Sequence, residues 1–172
     1  VNSVSYTPDL ISNHSGAVTI RDVGASLGPD YVIWSADIPS CFRRQLLAKR
    51  LLRLFVYHIV TPEFGLEFFQ DLRHSFGKQM SEWAWQCILA IIKWKLAELK
   101  LAMQLVVFVD NFFVFVHKSL LATIGETIDR FFESIDIKLH ERETGSKFPG
   151  LGWEWDLERQ LMICPRNKCE IM

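Results

Sequence analysis

The apolar and polar positions divide the chain into segments of helical and strand period. From Thr19, residues Ile20, Val23 and Leu27 fall on one side of a short helix, and Gly28-Pro29 ends it because neither residue continues a helix comfortably. Tyr31 to Ala36 (YVIWSA) is a compact apolar strand that delivers Asp37 at its end. Phe42 to Val60 mixes leucines with Arg43, Arg44, Lys49, Arg50 and Arg53, which predicts an amphipathic helix with a solvated basic face. Thr61 to Gly77 shows no clear period and reads as loop, and a long helix follows from about Lys78 to Leu99. Val106 to Val116 (VVFVDNFFVFV) places two β-branched and aromatic runs around Asp110-Asn111, the pattern of a hairpin with a two-residue turn.

Thr123 is the expected N-cap of the next helix, which runs to about Ile135. It sets Ile124, Ile128, Phe131, Phe132 and Ile135 on one stripe and Glu126, Asp129, Arg130 and Glu133 opposite. Ile135 to Leu139 reads as an edge strand. Gly150 to Ile163 alternates Leu151, Trp153, Trp155 and then Leu161, Ile163 around Asp156 to Arg159, which predicts a second hairpin. Residues 1–16 are polar and read as an extended arm. The succession predicts an α+β fold: one domain over residues 1–172, an antiparallel sheet with helices packed on one face.

Composition narrows this picture. At 172 residues, 49% hydrophobic and 23% charged, the chain can bury one sizeable core. A net charge of -1 gives whole-chain support to no nucleic-acid partner, so any such surface must be a local patch; Arg43, Arg44, Lys49, Arg50 and Arg53 are the candidate RNA contacts. Six Trp and thirteen Phe are many for this length and fit either a dense core or a partner-facing surface. Cys41, Cys87, Cys164 and Cys169 make no disulfide framework, and the four residues between Cys164 and Cys169 depart from zinc-knuckle spacing. His58, His74, His117 and His140 read as core or surface residues. The apolar region Trp83 to Val109 is interrupted by Lys93, Lys95, Glu98 and Lys100, so no membrane span is expected. No signal peptide is visible and the first residue is Val, so the natural N-terminus is expected to be missing; an intracellular setting is expected, with nucleus, cytoplasm and organelle left open.

Two acids carry the candidate chemistry. Asp37 ends one apolar strand and Asp110 sits at the tip of another, and either alone is explained by a turn. On neighbouring strands, however, they could converge on a divalent cation, which takes oxygen ligands and leaves sites for phosphate oxygens. Two such ions activate an attacking hydroxyl and stabilise a leaving oxygen in nucleotidyl transfer.

These local sequences resemble the palm of reverse transcriptases, nearest to those of tyrosine-recombinase retrotransposons of the DIRS and Ngaro type. Leu27-Gly28-Pro29 with WSADIPSCF (Trp34 to Phe42) is similar to the family's LGPG…KADIKSAF. FVDNFFVFVHKSL (Phe108 to Leu120) resembles its Y-x-D-D-F-L-V…H motif, LHERET (Leu139 to Thr144) its L-N-P-E-K-T, and KFPGLGWEWD (Lys147 to Asp156) the FLGFEWD hairpin that grips the primer. LMICPRNK follows as the family's LP..K does, so the likeness spans about Asn2 to the C-terminus in the family's order. It implies a polymerase palm-like antiparallel sheet. Asp37 and Asp110 would be metal-binding residues, with Asn111 beside them. Phe42 would be the bulky residue beneath the sugar, Arg73 a nucleotide contact, and Leu151 and Gly152 parts of the primer grip.

Three departures qualify the implied activity. Asn111 replaces the second Asp of the pair, and a neutral amide offers a metal one carbonyl oxygen and no charge. Negative-strand RNA virus polymerases resemble this with Asp-Asn at the same turn. Glu143 stands where the family has a Lys near the leaving pyrophosphate, with Arg142 adjacent. The stretch PFGLRSAP is recovered only in pieces, at Glu63 to Leu66 and Asp71 to Ser75. The segment between Phe42 and Gly65 is basic and leucine-rich where a β-rich fingers insert is expected, and no thumb or RNase H follows Met172. The expectation is a catalytically impaired palm kept as a structural or RNA-binding subunit of a larger ribonucleoprotein assembly. Its partners would be RNA or protein, and dNTP is the one small ligand it would take. The alternative is an active RNA-directed DNA polymerase with two magnesium ions at Asp37 and Asp110.

Overall fold

A computed structural model describes residues 16–75 and 79–165 of the chain. In chain order its elements are α1 (Ala17–Leu27), β1 (Tyr31–Asp37), 3-10 turns at Cys41–Arg44 and Lys49–Leu54, β2 (Val56–Thr61), β3 (Gly65–Gln70), α2 (Gln79–Glu98), β4 (Met103–Phe108), β5 (Asn111–His117), a 3-10 turn at Lys118–Leu120, α3 (Leu121–Ser134), β6 (His140–Gly145), β7 (Lys147–Gly150), β8 (Trp153–Asp156) and β9 (Leu161–Ile163). This is an α+β fold whose strand pairs are all antiparallel. The chain divides into two compact units. Of the described residues, one holds 40–75 and 79–94; the other holds 16–39 together with 95–165.

The second unit is built on a four-stranded sheet of order β4-β5-β1-β6. Its two central strands, YVIWSAD and NFFVFVH, each bury five successive residues, which requires cover on both faces. On one face the Phe112 ring meets Phe132 of α3 edge-on at 5.3 Å, and the Trp34 indole fills the space beside Gly125, where a Cβ would lie 3.2 Å away. On the other face Ile33, Phe113 and Phe115 form a core with Ile20 of α1 and with Phe148, Trp155 and Leu157. The last three belong to or adjoin a separate sheet of order β7-β8-β9. The helices are therefore not confined to one face, as the sequence suggested. Unbroken apolar strands leave no face for solvent.

Several boundaries also differ from expectation. α3 starts at Leu121 without a side-chain cap, and Thr123 lies inside it. The chain enters the helix through the 3-10 turn Lys118–Leu120, where Nδ1 of His117 accepts from the Ser119 N–H at 3.3 Å. Ile135 to Leu139 is not a strand. The amides of Ile135, Asp136 and Ile137 bond back to Phe132 and Glu133, and Asp136 takes a left-handed φ of 56°. Pairing with β1 begins only at His140, in a polar segment that apolar periodicity could not reveal. The second hairpin gains a third strand, β7, ahead of it.

In the first unit the expected helix from Phe42 to Val60 is replaced by the two 3-10 turns and β2, and the expected loop contains β3. Two causes act here. Val56, Tyr57, Ile59 and Val60 are β-branched or aromatic and favour the strand. The backbone of Gln45 to Leu47 is also taken up by a second segment, through Leu47 N–H to Leu72 C=O and His74 N–H to Gln45 C=O, both 3.0 Å. The resulting β2–β3 hairpin forms a sheet of two strands only, with Val60, Phe64 and Phe68 about 70% exposed. The basic, leucine-rich segment between Phe42 and Gly65 is thus partly strand. α2 matches its expected span and buries Trp85, Leu89, Ile92 and Leu96 at helical spacing, whereas Trp94 is exposed. Among the described residues no helix is long and apolar enough to cross a membrane.

His74 is a core residue of this unit. It is 6% exposed, its Nδ1 lies 3.2 Å from Ser81 Oγ, and Phe55 packs edge-on against it. Burial pulls its pKa below the ordinary value, against the opposing pull of Asp71. The folded state thus holds the neutral ring, while the unfolded chain protonates near its usual pKa. Stability of this unit should fall as pH drops through about 6.5. His74→Gln should flatten that slope in urea melts between about pH 5 and 7.5, and an unchanged slope would refute the assignment.

Candidate functional site

The ends of β1 and β5 converge on one point of the second unit. Register pairs Asp37 with Asn111 and Ser35 with Phe113, and directly opposed residues share a face. The β4–β5 turn is Val109-Asp110, because Phe108 already pairs with Asn111. Asn111 is therefore the first residue of β5 and not the second half of the turn. The Ile38 N–H donates to the Asp110 carbonyl at 3.0 Å and ties the tip of the hairpin to the end of β1. Asp37 and Asp110 are thus brought together.

The turn itself is strained. Val109 has a φ of 54°, and Asp110 does not share that left-handed conformation. A two-residue hairpin with only its first residue at positive φ asks for glycine there, and a β-branched side chain costs on the order of 1–3 kcal/mol. Val109→Gly should therefore stabilise the unit by about 0.5–1 kcal/mol after glycine's larger entropy loss. A lowered melting temperature would contradict the strained turn.

Ser35, Ala36, Asp37, Asn111 and Phe113 line a cleft of about 230 Å³, which Glu141 and Glu143 of β6 and Pro149, Gly150 and Leu151 also border. Glu141 arrives there through a β-bulge. Ser35 pairs with Glu143 while Asp37 pairs with His140, so β6 carries one extra residue, and Glu141 takes a left-handed φ of 47°. Bulges bend a strand and re-aim its side chains. Arg142, between the two glutamates, bonds Asp129 Oδ2 on α3 at 2.9 Å. Asp129 also keeps a buried Oδ1 without a partner, and burial raises its pKa against the pull of Arg142.

The charge balance of the cleft is acidic. Burial, then Asp110 and Glu141, pushes the Asp37 pKa up to about 6, and His140 opposes them. Asn111 Nδ2 donates to Asp110 Oδ1 at 3.0 Å. The amide thus binds the carboxylate beside it, where an aspartate would repel it. On the far wall Leu151-Gly152 is a two-residue turn with both φ positive, 51° and 81°, which is type I′ geometry. Gly150 is required there, because a Cβ would stand 2.9 Å from the Phe113 ring, and its carbonyl accepts from Trp155 Nε1 at 2.9 Å.

The structure thus brings together Asp37, Asp110, Asn111 and Leu151, with Gly152 adjoining. Phe42 and Arg73 belong to the first unit, as do the basic residues. Phe42 is 8% exposed within its 3-10 turn. Arg43 is ion-paired to Asp71, and Arg73 Nη1 donates to the Arg43 carbonyl at 3.1 Å, so both shape their own segment. Arg44, Lys49, Arg50 and Arg53 are exposed. Sequence reasoning missed Ser35 and Glu141. Its one available signal was the alternation in His140-Glu-Arg-Glu-Thr144, which places both glutamates on one face only if the strand begins at His140.

Two carboxylates suit one hard cation such as magnesium, which retains several waters. The pair of ions needed for nucleotidyl transfer fits less well. Asn111 contributes no charge, its nitrogen engages Asp110, and among the described residues no three His, Cys, Asp or Glu side chains are grouped to hold a metal. No protein-family model matches this chain, and no curated protein matches it.

Proposed function

We propose that the chain is a palm of reverse-transcriptase descent, retired from synthesis and kept as a structural or RNA-binding subunit of a larger ribonucleoprotein assembly. The observation that carries this reading is the Asn111 side chain bonded to Asp110 at the tip of the β4–β5 hairpin. The amide offsets charge that a palm ordinarily offsets with metal. Glu141 and Glu143 add to it, since they oppose the entry of a polyphosphate from the side on which the resemblance expects a lysine. The order of strands supports palm ancestry, with the Asp37 strand antiparallel to the Asp110 hairpin.

Two surfaces of the first unit support a role in an assembly. The β2–β3 hairpin exposes Tyr57, Val60, Phe64 and Phe68, and an isolated two-stranded hairpin is marginal in water without cover. Ser40 to Trp94 also carries eight Lys and Arg against four Asp and Glu, a local excess that the near-neutral whole chain conceals. The second reading, an active RNA-directed DNA polymerase, draws on the raised Asp37 pKa and the convergence of Asp37 with Asp110, as a metal-loading site would have. The two readings separate in cells. If the chain is retired, Asp37→Ala and Asp110→Ala leave its complexes and phenotype unchanged, whereas loss of phenotype with the complexes intact indicates catalysis.

A further inference from the structure

The β2–β3 hairpin of the first unit has two unlike faces, and its register separates them. Directly opposed residues share a face, so Val56–Gln70, His58–Phe68 and Val60–Leu66 make one, and Tyr57–Phe69 and Ile59–Glu67 the other. The first face holds no Asp, Glu, Lys or Arg. Its apolar side chains are exposed by 48% at Val56 to 71% at Val60, and no third strand joins the sheet. Phe68 stands in one of the two middle pairs, the position of an anchor.

Charge lies at the two ends of the hairpin. Lys49, Arg50 and Arg53 precede β2 at its base, and Glu63 sits in the turn at its tip. All four are exposed, and none is ion-paired among the described residues. Strands of six residues hold tip and base about 20 Å apart. A surface that is basic at one end, uncharged in the middle and acidic at the other complements itself when turned end for end.

We propose that the chain forms a two-fold dimer through this face, with the two hairpins packed tip over base. A two-fold axis across the strands sets Glu63 of each copy against Arg50 and Arg53 of the other and packs Phe68 at the centre. The other face suits this poorly, because Glu67 in its middle would meet its own symmetry mate. Covering the first face removes on the order of 600 Å² per copy, about 1,200 Å² in total, which clears the roughly 1,000 Å² that a specific interface needs. A nucleic acid would find no cation on this face. The dimer rests on the reading of the chain as an assembly subunit, and not on its loss of catalysis.

Sedimentation equilibrium of the full chain tests it, with folding of each variant followed by circular dichroism. Wild type should show monomer and dimer with a Kd on the order of 10 μM. Val60→Lys and Phe68→Lys, both at exposed positions, should each weaken the dimer by at least about tenfold. Glu63→Arg alone, or Arg50→Glu with Arg53→Glu, should weaken it by about threefold, and the three together should restore the wild-type Kd. A monomer at about 200 μM, assembly beyond the dimer, undiminished dimerisation of Val60→Lys, or no restoration in the triple variant would overturn the proposal. So would a monomer that binds a single-stranded oligonucleotide through Phe68. Each of these results leaves the retired reading standing, whereas template-directed synthesis by the dimer would overturn that reading and leave the interface.

Discussion

Asn111→Asp should lower the stability of the metal-free protein by about 2 kcal/mol at pH 7, a fall of roughly 4–8 °C in melting temperature. The wild-type amide donates to Asp110 Oδ1, and a hydrogen bond to a charged group contributes about 1.5–3 kcal/mol. The substitution removes the donor and adds a carboxylate beside Asp110, with Asp37 across the strand pair, although partial exposure screens part of that repulsion. Magnesium should then act differently on the two proteins. A site with a Kd of about 1 mM gains roughly 1.4 kcal/mol at about 10 mM magnesium, so the variant should recover much of its loss. The wild type should gain much less. Asn111→Ala loses the bond without the added charge and should fall between them. An aspartate variant as stable as wild type and indifferent to magnesium would show that the amide has no such role.

The second large effect concerns Asp37. Its folded pKa of about 6 lies above the unfolded value near 3.8, so the folded state holds its proton more tightly. For an acid raised in this way, ionisation is a cost of folding. The cost is absent below about pH 3.8, grows through the window to 6, and is complete above it. Asp37→Asn should therefore stabilise the protein at pH 7 and make little difference at pH 4. The shift would correspond to about 3 kcal/mol for a dry group, and solvent access reduces the expectation to about 1–2 kcal/mol. Chemical denaturation at the two pH values measures it directly. A variant less stable than wild type at pH 7 would mean that Asp37 is held by favourable partners and not by a crowd of carboxylates.

Such a substitution removes the residue with the strongest claim to chemistry and yet should strengthen the fold. Sites built for ligands carry this signature, because charge is concentrated there at the expense of stability. Val109 at positive φ and Glu141 at a bulge show the same in the backbone. On the proposed reading Asn111 is the one carboxylate lost from the site, while the strain around it persists.

What could be read from the sequence followed from apolar pattern. YVIWSAD and VVFVDNFFVFV identify themselves as strands because a two-sided core demands unbroken apolar runs, and the helix from Thr123 shows its stripe for the same reason. β6 was misplaced because an edge strand needs only backbone partners, and HERETG holds no apolar residue that would give it away. The helix expected over Phe42 to Val60 failed for another reason. Its leucines and arginines carry the right period, but Gln45 to Leu47 is drawn into bonds with Leu72 and His74 that lie far off in sequence. At the site, Asp37 and Asp110 were legible as polar ends of apolar strands. Ser35 and Glu141 became visible only once register and bulge were known.

The resemblance and the geometry meet in one assay. Primer extension on a primed RNA template should be run with wild type, Asp37→Ala and Asn111→Asp at equal concentration, in magnesium and in manganese. The retired reading predicts wild-type incorporation indistinguishable from that of Asp37→Ala in both metals. Wild-type extension at least about tenfold above Asp37→Ala, corresponding to roughly 1.4 kcal/mol of transition-state stabilisation, would contradict it and establish the chain as a working polymerase.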